Sequence, residues 1–493
     1  MKNTLFLLAS TLSLLASNQA FSAVENTNKP NIVMLLVDDF GRQDLSVYGS
    51  SFYETPNIDK LATQGMRFDN AYVAHPRCVP SRVAIFSGSY PTRYGVPQGE
   101  RVGKHQLPLS AVTFGEHLKD AGYDTAYIGK WHLGKKGGDP TQQGFDTSIM
   151  AGHWGAPPSY YYPYTKQNKA GDNKGFAKVD GKKGEYLTDR LTDEAVSYIE
   201  EKQDKPFLLV LAHYAVHTPI EGKPALVDKY KAKMKKFAIA DAGPKSDADL
   251  IKDSTGYHKT IQNNPDYAAM VESVDISVGR IEEKLAQLGL DDNTIIILTS
   301  DHGGLSSRGL KSNRALATSN APYRHGKGWI YDGGTRVPLI VKWPGKVKAG
   351  SISEVQVTGT DHYPTILQMA GLALAPQDHQ DGISYLAALN DDNSPRKAMF
   401  WHSPAARPSK TGDTNSSAII EGDWKLLDFW SEGRIELYNL KDDKSEAYNL
   451  AKAMPEKTTE MLTKLNHWKS DIKAHTVKKK NKKAKKKKQK NHH

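Results

Sequence analysis

Ile32-Val33-Met34-Leu35-Leu36-Val37-Asp38-Asp39 is the stretch on which the fold turns. The apolar run is short, rich in Ile, Val and Leu, and closed by two acids, which reads as a strand buried on both faces of a sheet. Runs of the same kind at 207–212, 294–299 and 337–343 read as its parallel companions, and 125–128 adds a further strand. Helical patterns fall between them, at 111–121, 188–201, 267–288 and 362–370. Strand and helix alternate, so the expected fold class is α/β: a large mixed, mostly parallel sheet flanked by helices. Past about Arg396 the texture changes to short strands at 399–402, 417–421, 424–429 and 435–439, then an amphipathic helix at 456–473. That pattern predicts a smaller C-terminal α+β subdomain carrying an antiparallel sheet. The stretches 160–183 and 229–260 read as long loops, the kind that build a substrate cleft on such a scaffold.

In open α/β sheets chemistry gathers beyond the carboxyl ends of the strands. Here the first strand ends in Asp38-Asp39, the strand at 207 leads to His217, the strand at 294 ends in Asp301-His302, and the strand at 125 runs into Lys130-Trp131-His132. One acidic pair could be a solvated cap; four strand ends of this kind are not what chance delivers. The carboxylates of Asp38, Asp39 and Asp301 are hard oxygen ligands suited to Ca²⁺ or Mg²⁺. A nitrogen from His302 shifts the site slightly toward a borderline metal such as Mn²⁺ or Zn²⁺.

The chain has a single cysteine, Cys78, in the run His75-Pro76-Arg77-Cys78-Val79-Pro80-Ser81-Arg82. Met1-Lys2, the apolar stretch 5–16 and the small residues around Ala20-Phe21-Ser22-Ala23 have the order of a secretory signal peptide, expected over 1–23. A lone cysteine in an exported chain is not half of an internal disulfide. It is a reactive or modified group, an intermolecular link, or a small buried hydrophobe. The residues after it read as a loop entering a helix near Pro80, and a helix N-terminus favours both a nucleophile and a tetrahedral oxyanion.

Cys78-Val79-Pro80-Ser81-Arg82 resembles the activation motif of type I sulfatases of the alkaline-phosphatase superfamily, with Ser87-Gly88 where that family more often has Thr-Gly. The resemblance extends through Gly129-Lys130-Trp131-His132-Leu133-Gly134, His217-Thr218-Pro219, Asp301-His302-Gly303, Gly326-Lys327-Gly328, the run 333–338, and two C-terminal stretches, 422–426 and 436–440. It covers about Pro30 to Ala451 and departs at His302, where most members carry Asn.

The resemblance implies that Cys78 is converted to formylglycine (3-oxoalanine) by a formylglycine-generating enzyme. The hydrated aldehyde then attacks sulfur, forms a covalent sulfoenzyme and expels sulfate, with His132 as base. It implies Ca²⁺ held by Asp38, Asp39, Cys78, Asp301 and His302. Arg82, Lys130 and Lys327 would neutralise sulfate oxygens, and His217 with Lys327 would protonate the leaving alcohol. The same resemblance leaves two other readings open: a phosphate mono- or diester hydrolase of the same superfamily, and a binder of sulfated glycans in which Cys78 is never converted.

Mean hydropathy is −0.57 and the formal net charge +11. Ten lysines between Val477 and His493 carry nearly all of it; without them and Lys2 the remaining chain has no net charge. The basicity therefore belongs to a disordered tail, 477–493, able to meet a polyanion or an anionic surface. Export argues against nucleic acid, and no later apolar run is long enough to span a bilayer. The expected organisation is thus a signal at 1–23, a catalytic domain at 24–395, a subdomain at 396–476 and the tail, in a periplasmic or secreted protein. Sulfated polysaccharide is the substrate class this setting favours. Candidate sugar contacts are His153-Trp154, the 160–162 tyrosine run, Arg324-His325 and Trp401-His402, because aromatic rings stack on sugars and Arg or His binds acidic groups.

Overall fold

Asn31–Val37 forms a strand with every residue buried, and its two immediate neighbours, Thr294–Ser300 and Phe207–His213, run parallel to it. Beyond Phe207–His213 lie Asp124–Gly129 and Thr147–Ile149, also parallel. On the other side Leu339–Lys342 is antiparallel to Thr294–Ser300 and to Met66–Phe68, so Met66–Phe68 again runs with the central strands, and Ser351–Ser353 closes the eight-stranded sheet parallel to it. This computed structural model describes residues 29–96, 106–134, 138–167, 173–176, 179–239, 249–391 and 394–474. The signal peptide and the lysine tail expected from the sequence lie outside them.

The mixed, mostly parallel sheet is as expected, with one correction. The run at 337–343 is an antiparallel strand, Leu339–Lys342, and not a parallel companion. A strand covered on both faces is apolar whichever way it points, so composition carries no information about direction.

Alternate residues of the central strands face opposite layers. Val33, Leu35 and Val37 join one core with the helices Leu187–Glu201 and Pro265–Gln287. Ile32, Met34 and Leu36 join a second with Cys78–Ser87 and His362–Met369. Local capping sets where the helices begin. Thr113 accepts from the Glu116 N–H at 3.3 Å in a capping box, so the helix expected from 111 starts at Phe114. Asn264 accepts from the Tyr267 N–H at 3.1 Å with Pro265 at the first helical position, which moves that start two residues earlier than expected.

The stretch read as a loop from 229 carries regular elements among its described residues. Its beginning lies inside the helix Pro224–Lys236, whose buried Val227, Tyr230 and Met234 keep helical spacing among many lysines. Leu250–Lys252 pairs with Gly256–Lys259, which pairs in turn with Ser307–Gly309. Of the 160–183 stretch, Thr165–Gln167 pairs with Asn173–Gly175.

The four C-terminal strands, Met399–Ser403, Ser416–Glu421, Trp424–Phe429 and Arg434–Asn439, form an antiparallel meander. One face, through Ile419, Leu426 and Leu437, packs on Met461, Leu465 and Trp468 of the helix Pro455–Asp471. The other face, through Ala418, Ile420, Leu427 and Phe429, packs on Tyr72, Trp329 and Tyr331 of the larger unit. At that junction Lys425 is fully buried, 2.7 Å from Asp332 and 2.8 Å from Glu446. Removing one partner of a buried ion pair leaves the others uncompensated. Lys425→Ala is therefore expected to lower unfolding stability by about 3–5 kcal/mol, read as a lower urea midpoint; an unchanged midpoint would refute this role.

Candidate active site

The loops after the strands converge because the backbone lets them approach closely. Gly129 has φ +98°, and a Cβ there would lie 2.1 Å from the carbonyl oxygen of Ala212. Only glycine allows the Asp124–Gly129 strand to deliver Lys130 and His132 at this distance from its neighbour. Asp39 and His132 themselves hold positive φ of 60° and 59°, a costly conformation for non-glycine residues that clusters at functional sites.

Cys78 is the first residue of the helix Cys78–Ser87, two positions earlier than expected, with Pro80 within its first turn. Its Sγ lies 3.1 Å from His302 Nε2 and 3.7 Å from Asp38 Oδ1. His302 Nε2 is in turn 3.2 Å from Asp39 Oδ1 and 3.5 Å from Asp301 Oδ1. Ligand atoms of Asp38, Asp39, Cys78 and His302 all fall within 4.8 Å of one another. Lys130 Nζ donates to Asp38 and Lys327 Nζ to Asp39. Arg82 is fully buried, its Nε 2.8 Å from Asp301 Oδ2 and its Nη1 on the Lys130 carbonyl. It holds Asp301 and the Lys130 loop in place.

Electrostatics follow from burial against this exchange of charge. Burial opposes ionisation of the Cys78 thiol, but Lys130, Lys327 and His302 outweigh it and hold the thiol well below its usual range. Burial and then Asp301 push Asp38 well up against the pull of Lys130. For Asp39, burial is overcome by the cationic groups beside it, Lys327 among them, and its carboxyl stays below the usual range. Burial drives His217 down to about 3 although Asp39 pulls the other way, so the ring is neutral at neutral pH. Its Nδ1 is 2.7 Å from the Thr218 carbonyl, which leaves the Nε2 lone pair facing Asp39 Oδ2 at 3.8 Å. Burial also lowers His132, against the hydrogen bond it makes with Cys78.

The residues fit a divalent cation. Asp39 Oδ2 is buried without a hydrogen-bond partner among the described residues, and acid oxygens and one imidazole nitrogen face one point. A cavity of about 700 Å³ opens over Cys78, His132, His217 and Lys327.

Residues 30–372 match the family model described as Sulfatase, and 324–473 match N-sulphoglucosamine sulphohydrolase, C-terminal. The chain belongs to the sulfatase family. A sulfatase of Formosa agariphila is 31% identical over 92% of this chain and 90% of its own length. The human N-acetylgalactosamine-6-sulfatase is 32% identical over 79% and 70%. The crystal structure of Ps i-CgsB in complex with k-i-k-neocarrahexaose superposes with a TM-score of 0.73 at 30% identity, over 92% of this chain and 95% of that one. The protein is thus a type I sulfatase of the alkaline-phosphatase superfamily, a hydrolase of sulfate esters.

Four expected sugar contacts of this sulfatase lie elsewhere. Trp401 is buried in the junction, its indole N–H 2.7 Å from the Val73 carbonyl. His402 is 2.8 Å from Ser417 Oγ in the C-terminal sheet. Arg324 donates to Tyr438 Oη and the Glu446 carbonyl, and His325 stacks on Trp329 at 4.2 Å. Tyr160 is likewise a core residue, its hydroxyl donating to the carbonyls of Tyr214 and His217. Aromatic clusters read the same in sequence whether they pack a core or line a cleft. His153 and Trp154 stack on each other beside the site, next to Gly155 and Ala156 of the cavity wall.

The sequence reading gave no role to Arg77, Arg314, Arg407 and Lys410, which line the cavity with Lys327. Arg407 and Lys410 belong to the stretch between the first two C-terminal strands, and Arg77 anchors it to Cys78 by pairing with Asp413 and the Ala405 carbonyl. The available signal was a long basic connection, 404–415, in an otherwise tight meander.

Gly155 holds His132 in position: a Cβ there would lie 2.5 Å from His132 Cε1 and 2.7 Å from Nε2. Gly155→Ala is expected to fold normally and lower kcat by roughly 100-fold, the effect of about 1 Å of misplacement at a reacting group. Unchanged kcat would show that His132 position is not critical.

Proposed function

We propose that this sulfatase is exported and removes sulfate from a sulfated polysaccharide or its oligosaccharides in two steps, using formylglycine made from Cys78 and a bound Ca²⁺. The observation that carries this reading is the position of Cys78 Sγ, at the floor of a cationic cavity and among Asp38, Asp39 and His302. The hydrated aldehyde would supply an oxygen nucleophile, and a divalent cation bound here would supply Lewis-acid charge for a sulfate oxygen. Asp38, Asp39, Asp301 and His302 would hold the cation. Lys130 and Lys327 now balance Asp38 and Asp39 directly; with a cation in that role, both ammonium groups are free to meet sulfate oxygens. His132, against Cys78, takes the proton in the release step. His217 and Lys327 line the cavity and would serve the leaving alcohol. A neutral His217 needs the negative charge of bound substrate to raise its proton affinity before it can donate, so Lys327 supplies the standing positive charge there.

Substrate class rests on the lining. Arg77, Arg314, Lys327, Arg407 and Lys410 face the cavity, and no Phe, Tyr or Trp lines it among the described residues. Arg407 and Lys410 have no carboxylate at ion-pair distance among the described residues. Burial and then Arg77 work against the Arg407 charge, an arrangement that an incoming anion relieves. A saccharide bearing a second sulfate or a carboxylate beside the scissile ester fits this wall. The relatives named for N-acetylgalactosamine 6-sulfate chemistry and the neocarrahexaose complex support a sugar substrate. The lysine tail at 477–493 would add electrostatic attraction to such a polyanion.

Mass spectrometry of the Cys78 peptide from the native host is expected to show the aldehyde; an unmodified thiol would reduce the protein to a glycan binder. Cys78→Ala and Cys78→Ser should both fold and bind a sulfated oligosaccharide without turnover. Faster hydrolysis of an aryl phosphate than of the matching aryl sulfate would overturn the choice of ester. Arg407→Gln should raise KM for a multiply sulfated oligosaccharide by about 10–100-fold, the worth of one hydrogen bond to a charged group, and leave KM for a small aryl sulfate nearly unchanged. Equal effects on both substrates would remove Arg407 from saccharide recognition.

A further inference from the structure

A second cluster of ligating side chains lies apart from Cys78. Asp253, in the turn between Leu250–Lys252 and Gly256–Lys259, His258 on the second of those strands, and His325 bring one ligand atom each within 4.8 Å of the others. They line a cavity of about 480 Å³ that shares no described lining residue with the one over Cys78.

Each group is held with a ligating atom to spare. Asp253 Oδ1 accepts from Thr255 N–H at 2.7 Å, Thr255 Oγ1 at 2.7 Å and Gly256 N–H at 2.9 Å. That oxygen is saturated, and the other, Oδ2, faces both imidazoles: 3.8 Å from His258 Nδ1 and 3.7 Å from His325 Nε2. His258 Nδ1 is buried with no hydrogen-bond partner among the described residues, a costly state unless something else satisfies it. The His325 ring is 95% buried, clamped flat against Trp329 and bonded through Nδ1 to Ser307 Oγ at 3.2 Å. That hydrogen bond fixes the ring; with the hydroxyl accepting from Nδ1–H, Nε2 is left as the free acceptor, which is how metal-binding histidines are oriented. The two cations that line this cavity are engaged elsewhere: Lys259 pairs with Asp249, and Arg324 lies over the Tyr331 ring and bonds Tyr438 and Glu446.

We propose that Asp253, His258 and His325 form a second metal site, for a borderline divalent cation of the Zn²⁺ class. Two imidazoles and one carboxylate suit zinc better than calcium. Tetrahedral ligands about 2.1 Å from zinc lie roughly 3.4 Å from one another; the two Asp253–imidazole distances of 3.8 and 3.7 Å are within a few tenths of an ångström of that, and the two imidazole nitrogens lie within 4.8 Å. Water from the cavity takes the fourth position. The cation ties the Leu250–Lys259 hairpin to the segment that carries Lys327 two residues beyond His325. It therefore braces one wall of the Cys78 cavity from behind.

The test uses full-length protein stripped with EDTA, returned to calcium buffer, titrated with Zn²⁺ and desalted before metal analysis. Wild type is expected to retain one more zinc than Asp253→Asn or His258→Gln, whereas Asp38→Asn, which alters the Cys78 cluster, keeps that zinc. Cobalt substitution adds a spectroscopic reading: the visible absorption of four-coordinate Co²⁺ should appear in wild type and Asp38→Asn and be lost in both other variants. Two near-isosteric substitutions, checked for folding by circular dichroism, guard against a simple folding defect. Equal zinc in wild type, Asp253→Asn and His258→Gln, or loss of this zinc in Asp38→Asn, overturns the proposal.

Discussion

Everything at the carboxyl edge of the large sheet depends on one concentration of buried charge. Asp38, Asp39 and Asp301 are each almost wholly removed from water, and ionised carboxylates are tolerated there only when paired. Their partners come from separate parts of the chain: Lys130 after one strand, Lys327 from the loop before Leu339–Lys342, and Arg82 from the helix that begins at Cys78. The site therefore works as a cross-link between distant segments as well as the proposed reaction centre. The same crowding lowers the Cys78 thiol and keeps Asp38 and Asp39 on opposite sides of the ordinary carboxylate range.

The C-terminal sheet is joined to this centre by the segment from Arg324 to Arg336. Lys327 reaches Asp39, Asp332 pairs with Lys425 of the antiparallel sheet, and Trp329 donates to the Thr411 carbonyl in the basic connection over the cavity. Arg77, immediately before Cys78, grips the same connection through Asp413. The smaller sheet thus contributes the part of the wall where saccharide selectivity is proposed, while the larger one holds the groups proposed to act on the ester. Division of labour of this kind is common where variable loops are mounted on a rigid scaffold.

The strand ends Asp38-Asp39, Lys130-Trp131-His132 and Asp301-His302 were legible in the chain because a buried strand is a short apolar run and its end is marked by the first polar residues. Their mutual approach was an inference from topology, and the backbone made it possible at Gly129 and at the strained Asp39 and His132. The cleft wall was not legible in the same way. Arg314, Arg407 and Lys410 are ordinary surface-type residues until the loops are placed, and Tyr160, Trp401 and His325 are plausible sugar contacts until their hydroxyl, indole and imidazole groups are seen bonded inside the protein.

Sequence alone determined the α/β class, the family resemblance and the set of groups that meet at Cys78, since periodicity and motif spacing are local properties of the chain. Tertiary structure decided the direction of Leu339–Lys342, the cationic character of the cavity, and the meeting of Asp253 and His258 with His325. These are facts about which segments lie side by side. Contacts between residues far apart in the chain leave no period or spacing of their own in a single sequence.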